Sequence, residues 1–212
     1  MLALVATVRG DATTAFWWMA YTLFVDSIDG TLARAVGVKQ VVPFVDGSKL
    51  DDIVDYFTYV IVPALFVIWM GLVPGAVAFP VTALVVIASG YGFAQAAAKT
   101  ADHFFTGFPS YWNVVVFYLY VLGWPLWLNA AVLTILAIAV FVPLRYVYPS
   151  RTPTLRWLTI TLACLWGAAI LWTFVHLNDP PRAVVLGSLL FPIYYVGLSL
   201  YLHFAKAPRQ SG

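Results

Sequence analysis

The stretch VDSIDGTLARAVGVKQVVPFVDGSKLDDIVDY, residues 25–56, carries most of the acidic charge of the chain and joins two apolar segments. It contains six of the nine aspartates, and the chain has no glutamate. The six residues are Asp26, Asp29, Asp46, Asp51, Asp52 and Asp55. Acids near lipid are costly to keep ionised and usually mark functional sites. The stretch therefore predicts where the site of this protein lies.

The composition of the chain excludes an ordinary soluble fold. Of its 212 residues, 63% are hydrophobic and 9% are charged, whereas soluble domains have about 25% charged residues. A helix crosses a bilayer with about 20 mostly apolar residues, and runs of that length recur. The composition predicts an all-α, polytopic transmembrane helical bundle. The basic residues form no cluster of the kind that binds nucleic acid, so no nucleic-acid partner is expected.

Gly, Pro and Asp punctuate the apolar sequence and divide it into candidate membrane spans. The divisions fall at RGD, GLVPG, GWP and NDPP. We predict about seven full spans after a partial first helix, within a single domain of residues 1–212. The predicted segments are residues 1–8, 12–34, 49–70, 75–99, 110–123, 126–148, 154–177 and 183–204.

Lysine and arginine in short loops indicate which ends of the spans face the cytoplasm. With the loop at residues 35–48 placed in the cytosol, nine of the eleven basic residues fall at cytoplasmic ends. Only Arg9 and Arg182 face the opposite side. The aspartate-rich loop is therefore expected to face the cytosol.

Four of the aspartates have helical spacing on two consecutive spans. Asp26 and Asp29 are three residues apart, and Asp51 and Asp55 are four residues apart, so each pair shares one helical face. At a rise of 1.5 Å per residue, Asp29 lies about 8 Å before Arg34, and Asp55 lies about 10 Å into the next helix. The two pairs are thus expected at one depth, just inside the cytoplasmic surface.

Four carboxylates at one place would repel one another unless a cation neutralises them. Oxygen ligands with no His or Cys nearby favour Mg²⁺ or Mn²⁺, and such ions suit the transfer of a phosphoryl-type group. Asp46 and Asp52 have a plainer interpretation as solvated residues near a helix start. The small residues Gly30, Ala33 and Gly47 would leave a notch beside the acids that a nucleotide could fill.

The pattern Asp26-x2-Asp29-Gly30-x2-Ala33-Arg34, followed by Gly47-x3-Asp51-x3-Asp55, resembles the signature of the CDP-alcohol phosphotransferases. The gap of twelve residues between Arg34 and Gly47 is longer than is usual in that family and resembles the bacterial phosphatidylcholine synthase branch. LDDIVDYFTYVIVPA, AKTADHFFTGFPSYWNVVVFYLY and FVPLRYVYPSR also look like that branch. The resemblance thus covers most of the chain.

The resemblance implies condensation of choline with CDP-diacylglycerol in a bacterial inner membrane, by a homodimer whose active site faces the cytosol. Asp26, Asp29, Asp51 and Asp55 would bind Mn²⁺ or Mg²⁺, and Asp55 would be the general base. The implied nucleotide-binding residues are Asp29, Gly30, Ala33, Arg34 and Gly47. Family members have a complete first helix, so we expect the one at residues 1–8 to be incomplete.

The acceptor and the lipid phosphates would need contacts of different kinds. Choline is a permanent cation without N–H donors and suits aromatic faces. Candidates flanking a cytoplasmic loop are Phe104, Phe105, Tyr111, Trp112 and Tyr118, although aromatic residues also collect at membrane interfaces without a catalytic role. Candidates for the lipid phosphates are Lys99, Arg145 and Arg151, which orientation alone would also explain. Arg145 is preferred because it is expected at the end of the sixth helix.

Two other interpretations remain open from the sequence. A related enzyme could use serine, glycerol phosphate or inositol phosphate with the same nucleotide lipid, although no dense cationic cluster for a phosphorylated acceptor is visible. A cation-coupled transporter would place ionisable residues near the middle of the membrane, in repeated halves. Here the acids lie near one surface, and no second half repeats them.

Overall fold

The computed structural model describes residues 1–95, 104–147, 152 and 154–205, and its described elements are almost all helical. In chain order they are α1 (Leu2–Val8), α2 (Ala12–Ala35), α3 (Val38–Val41), α4 (Gly47–Tyr56), a π-helical segment (Phe57–Ile61), α5 (Val62–Trp69), α6 (Gly75–Ala94), β1 (Phe104–Thr106), α7 (Trp112–Leu122), α8 (Leu126–Ala139), β2 (Arg145–Val147), α9 (Arg156–Val175), α10 (Arg182–Ser188) and α11 (Leu190–Ala205).

Helix length and exposure confirm the prediction of an all-α polytopic membrane protein. Four helical units in the described residues are long and apolar enough to cross a membrane, namely Gly47–Trp69, Gly75–Ala94, Arg156–Val175 and Arg182–Ala205. Helices α7 and α8 are apolar but shorter. Large side chains such as Phe79, Ile87 and Trp157 point outward, as expected of surfaces that contact lipid tails.

The core of the bundle is built around Phe16 of α2. Its ring is 1% exposed and lies 4.8 Å from the ring of Phe66 on α5. Phe117 of α7 and Phe174 of α9 complete the cluster, with centroids 5.5 and 5.7 Å from Phe16. Aromatic side chains bury about 150–250 Å² each and dominate the energetics of such cores. This cluster fixes the first half of α2 against α5, α7 and α9.

The predicted span 49–70 is one helix interrupted by a π turn. The N–H of Val62 donates to the carbonyl of Phe57, five residues earlier, where an α-helix would use a spacing of four. Pro63 follows directly and has no N–H for the carbonyl of Tyr59, four residues before it. The proline thus gives the local reason for the wider turn.

The region around residues 104–147 differs from the prediction. Helix α8 ends at Ala139 instead of continuing to 148, and β2 pairs antiparallel with β1, with Phe104 opposite Val147 and Thr106 opposite Arg145. Pro143 cannot continue a helix, and Gly107, with a φ of +81°, packs against the carbonyl oxygen of Val140 where a Cβ would collide. The expectation that Arg145 ends the sixth helix was therefore wrong.

Side chains of α11 close the outer edge of the two-stranded ribbon formed by β1 and β2. The N–H of Val147 donates to Ser199 Oγ at 3.0 Å, and Tyr195 Oη donates to the Val147 carbonyl at 3.0 Å. The N–H of Arg145 donates to His203 Nδ1 at 3.2 Å. In lipid, backbone polar groups must find partners within the protein. The edge of β2 that does not pair with β1 is therefore hydrogen-bonded to α11, and these bonds hold the ribbon to that helix.

Candidate metal centre

Three of the predicted aspartates meet between α2 and α4. Each of Asp26, Asp51 and Asp55 offers a carboxylate oxygen, and these oxygens lie within 4.8 Å of one another. All three residues are half-buried. Asp51 and Asp55 share a face of α4 because they are four residues apart. The helix begins at Asp46, whose side chain accepts hydrogen bonds from the N–H groups of Ser48 and Lys49, which is the plain capping role expected of it.

Asp29 lies outside this group. It is exposed and lies about one turn beyond Asp26, toward the C-terminal end of α2. The structure thus brings together three of the four predicted ligands, and the fourth lies beside the group on the same helix.

The three carboxylates fit a hard divalent cation. Two unit charges about 4.8 Å apart repel by about 3 kcal/mol at an effective dielectric constant of 20, so three ionised groups at this separation need a neutralising partner. Carboxylate oxygens without nitrogen or sulfur ligands are the donors that Mg²⁺ and Mn²⁺ prefer. Asp26, Asp51 and Asp55 are the residues that would hold such an ion.

A tyrosine that the sequence analysis missed contacts this group. Tyr59 Oη donates a hydrogen bond of 2.9 Å to Asp26 Oδ2, and the side chain is 7% exposed. The available signal was the spacing, because Tyr59 follows Asp55 by four residues just as Asp55 follows Asp51. Continuing the four-residue spacing of Asp51 and Asp55 by one more interval identifies Tyr59.

The two glycines among the predicted nucleotide residues are not packed against neighbouring elements in the described part of the structure. A Cβ at Gly47 would meet no described atom within 4 Å, and one at Gly30 would meet only the flexible end of Arg34, at 3.3 Å. The Arg34 guanidinium is exposed, and its Nη2 donates to Thr31 Oγ1 at 3.0 Å. Ala33 is half-buried. The space beside the two glycines is therefore not occupied by packing, and their role in nucleotide binding stays a prediction.

Two of the choline candidates lie inside the bundle. Trp112 is fully buried, and its Nε1 donates to Ser89 Oγ at 2.7 Å. Tyr118 is 7% exposed, with its hydroxyl 2.8 Å from Ser188 Oγ. Because choline needs an accessible ring face, neither position favours a choline contact. Burial, which the sequence does not report for aromatic residues, accounts for the difference.

The remaining candidates are two residues of the ribbon and one tyrosine that precedes α7. Phe104 is 1% exposed in β1, and the side chain of Phe105 is outside the described part of the structure. Tyr111 is half-buried, and its ring centroid lies 6.3 Å from that of Tyr195. Tyr111 is therefore a choline candidate whose ring keeps some exposure, and its contact with choline stays a prediction.

The candidates for the lipid phosphates are only partly described. Arg145 begins β2, opposite Thr106, and its N–H is held by His203. Lys99 and Arg151 lie outside the described residues. The assignment of all three to phosphate binding stays a prediction.

The structure is an apolar helical bundle in which acidic residues of two helices converge. These features define the class of the protein as a polytopic membrane protein with a candidate metal centre. No family model matches the chain. Phosphatidylcholine synthase of Legionella pneumophila is 42% identical over 203 residues, covering 92% of this chain and 78% of the relative. The phosphatidylcholine synthase of Legionella bozemanae is 38% identical, covering 97% of this chain and 96% of the relative. The phosphatidylcholine synthase of Brucella melitensis is 36% identical, covering 99% of this chain and 76% of the relative.

These relatives show that the chain belongs to the phosphatidylcholine synthase family. The resemblance drawn from the acidic motif and its long gap is thereby confirmed. The chain is accordingly a membrane-embedded transferase of phospholipid biosynthesis.

Proposed function

We propose that this protein condenses choline with CDP-diacylglycerol to give phosphatidylcholine and CMP. The observation that carries the proposal is the convergence of Asp26, Asp51 and Asp55 within 4.8 Å in a member of the phosphatidylcholine synthase family. A diphosphate is the substrate group that most needs concentrated divalent charge, and an acidic group at the end of two membrane helices can present that charge where lipid headgroups lie.

The proposed reaction exchanges one phosphorus–oxygen bond for another. The hydroxyl oxygen of choline forms a bond to the lipid-side phosphorus of CDP-diacylglycerol, and the bond from that phosphorus to the oxygen of CMP breaks. Asp55 takes the proton from the choline hydroxyl and later releases it to solvent. A divalent cation held by the aspartates would supply positive charge for the diphosphate and for the departing phosphate oxygen.

The other aspartates and the notch have separate roles in this proposal. Asp26 and Asp51 hold their carboxylates toward the diphosphate-binding space. Asp29 would add a further oxygen ligand for the cation, from the cytoplasmic side of that space. The open space at Gly30 and Gly47 admits the cytidine, with Ala33 lining it and Arg34 at its edge. Lys99, Arg145 and Arg151 are the proposed contacts of the lipid phosphates. We place the site on the cytosolic side of a bacterial inner membrane, in a homodimer.

Acceptor competition tests the proposal directly. Purified enzyme with Mn²⁺ and CDP-diacylglycerol should convert labelled choline into labelled phosphatidylcholine and release CMP in equal amount. Parallel reactions with serine, glycerol phosphate and inositol phosphate should yield no product above background. Consumption of one of those alcohols in place of choline would refute the acceptor assignment, and failure to release CMP with any alcohol would refute the reaction type.

Tyr111 should contribute to choline affinity through its ring. A cation over an aromatic face is stabilised by about 0.5–2 kcal/mol, so we expect Tyr111→Leu to raise the KM for choline between twofold and thirtyfold. Tyr111→Phe keeps the aromatic face and should leave that KM within about twofold, although it removes the hydroxyl. An equal rise in both variants would assign the effect to the hydroxyl and refute the cation–π contact.

A further inference from the structure

We infer that Tyr59 is the positioning residue of the aspartate group, holding Asp26 in the orientation in which it binds a divalent cation. The inference rests on the proposed function for the presence of the cation, but it concerns a residue outside the acidic motif. Tyr59 does not touch the substrate in this scheme and acts through Asp26. Its hydroxyl is the second partner that a ligating carboxylate ordinarily has in a metal site.

The hydrogen bond from Tyr59 to Asp26 has a length within the ordinary range for a hydroxyl donor. Tyr59 Oη lies 2.9 Å from Asp26 Oδ2, and the ring is 7% exposed between the helices. The phenol can donate a single proton, so it fixes one carboxylate oxygen and leaves the other free to turn toward Asp51 and Asp55. Donation to a charged acceptor is also stronger than an ordinary hydrogen bond. Asp26 is thus held through one carboxylate oxygen, and its other oxygen can bind a cation.

The π turn explains how Tyr59 reaches Asp26. Four residues of an α-helix rotate by about 40° beyond a full turn, so a continuous α-helix through Asp51, Asp55 and Tyr59 would carry the tyrosine progressively around its surface. The bond from Val62 to Phe57 closes a wider turn at this point, and four residues of a wider turn rotate less. The turn therefore offsets the drift and returns Tyr59 toward the face of the aspartates.

The same helix contains a matched control for a purely structural tyrosine. Tyr56 is three residues earlier, and its hydroxyl donates to the Val86 carbonyl at 2.8 Å, joining α4 to α6. Its ring packs against Phe93 with centroids 5.6 Å apart. Loss of either hydroxyl removes one hydrogen bond between helices. Of these two described bonds, only the one from Tyr59 ends on an aspartate. The two Phe variants therefore separate positioning of the metal site from general stabilisation of the bundle.

Mn²⁺ binding without substrate tests the inference. The affinity of purified wild-type protein, Tyr59→Phe and Tyr56→Phe would be measured from the free Mn²⁺ signal in electron paramagnetic resonance and from the Mn²⁺-dependent rise in melting temperature. We expect Tyr59→Phe to weaken Mn²⁺ binding by about 10–100-fold, the loss typical of removing the partner of a metal ligand, and Tyr56→Phe to bind as the wild type does. The thermal readout registers folded protein only, so a destabilised variant remains informative.

Activity and a double variant provide two further readouts. In Tyr59→Phe the Mn²⁺ concentration for half-maximal activity should rise by the same factor, while kcat at saturating Mn²⁺ recovers to within about threefold of wild type. If Tyr59 acts through Asp26, its substitution should cause no additional loss of Mn²⁺ affinity in an Asp26→Asn background.

Unchanged Mn²⁺ affinity in Tyr59→Phe, or an equal loss in Tyr56→Phe, would overturn the inference. An additive loss in the double variant would do the same. These outcomes are distinct from failure of the proposed function, because Mn²⁺ affinity is measured without choline or CDP-diacylglycerol. A protein that uses another alcohol would still show the difference between Tyr59 and Tyr56.

Discussion

Asp55→Asn should abolish formation of phosphatidylcholine, lowering kcat by about 10²–10⁴-fold, while CDP-diacylglycerol still binds. The amide keeps the size of the side chain and one oxygen near the cation, but it cannot accept the proton of the choline hydroxyl. Positioned general bases contribute rate factors of that size. The measurement is incorporation of labelled choline at saturating Mn²⁺, together with equilibrium binding of CDP-diacylglycerol to the same preparation.

Asp52→Asn is the matched control for this substitution. It makes the same change of charge on the same helix, but Asp52 is not among the three residues whose oxygens converge. Its kcat should stay within about threefold of the wild type. If Asp55→Asn retained more than about a tenth of wild-type kcat, a general-base role at that position would be excluded.

Removal of divalent cations should stop turnover as completely as loss of Asp55. We expect EDTA to reduce phosphatidylcholine formation by at least 100-fold and added Mn²⁺ or Mg²⁺ to restore it, because stabilising charge on a diphosphate with a metal contributes several kcal/mol. Asp51→Asn should need a higher concentration of cation for the same rate, since it withdraws one of the three convergent carboxylates. The measurement is initial rate against free cation concentration.

Asp46→Asn provides the comparison for that titration. The side chain of Asp46 accepts hydrogen bonds from N–H groups in the first turn of α4, and an asparagine at this capping position is similarly effective. Its cation requirement should equal that of the wild type. Full activity in EDTA, or an identical shift in both variants, would contradict a metal site at Asp51.

Spacing predicted the acidic site because helical phase is a local property of the sequence. Asp51 and Asp55 could be placed on one face from their separation alone, and Asp26 followed from the antiparallel return of the chain. The exposure of Asp29 could not be obtained in the same way. Phase gives the direction of a side chain, but whether that side chain meets the neighbouring helix depends on how the two helices pack, which the spacing does not report.

The features that the sequence did not reveal depend on non-local packing. The hydrogen bond of Tyr59 to Asp26 was not predicted because it joins residues 33 positions apart, although the four-residue spacing after Asp55 placed Tyr59 near the acidic face. Strand β2 was assigned to the end of a helix because residues 126–148 form a mostly apolar stretch, and hydropathy does not distinguish a helix from a short strand covered by another helix. Trp112 and Tyr118 were grouped with accessible aromatic residues because composition carries no information about burial.

The hydrogen bonds from α11 to β2 also constrain the order in which the chain can mature during insertion. Tyr195 and Ser199 come 48 and 52 residues after Val147, and Tyr195 lies about 15 Å before the end of its helix at 1.5 Å per residue. Until α11 leaves the ribosome, the outer edge of β2 lacks these partners, and a peptide group left unpaired away from water costs several kcal/mol. A nascent chain halted before residue 195 should therefore hold its earlier helices in place yet lack a fixed β1–β2 ribbon.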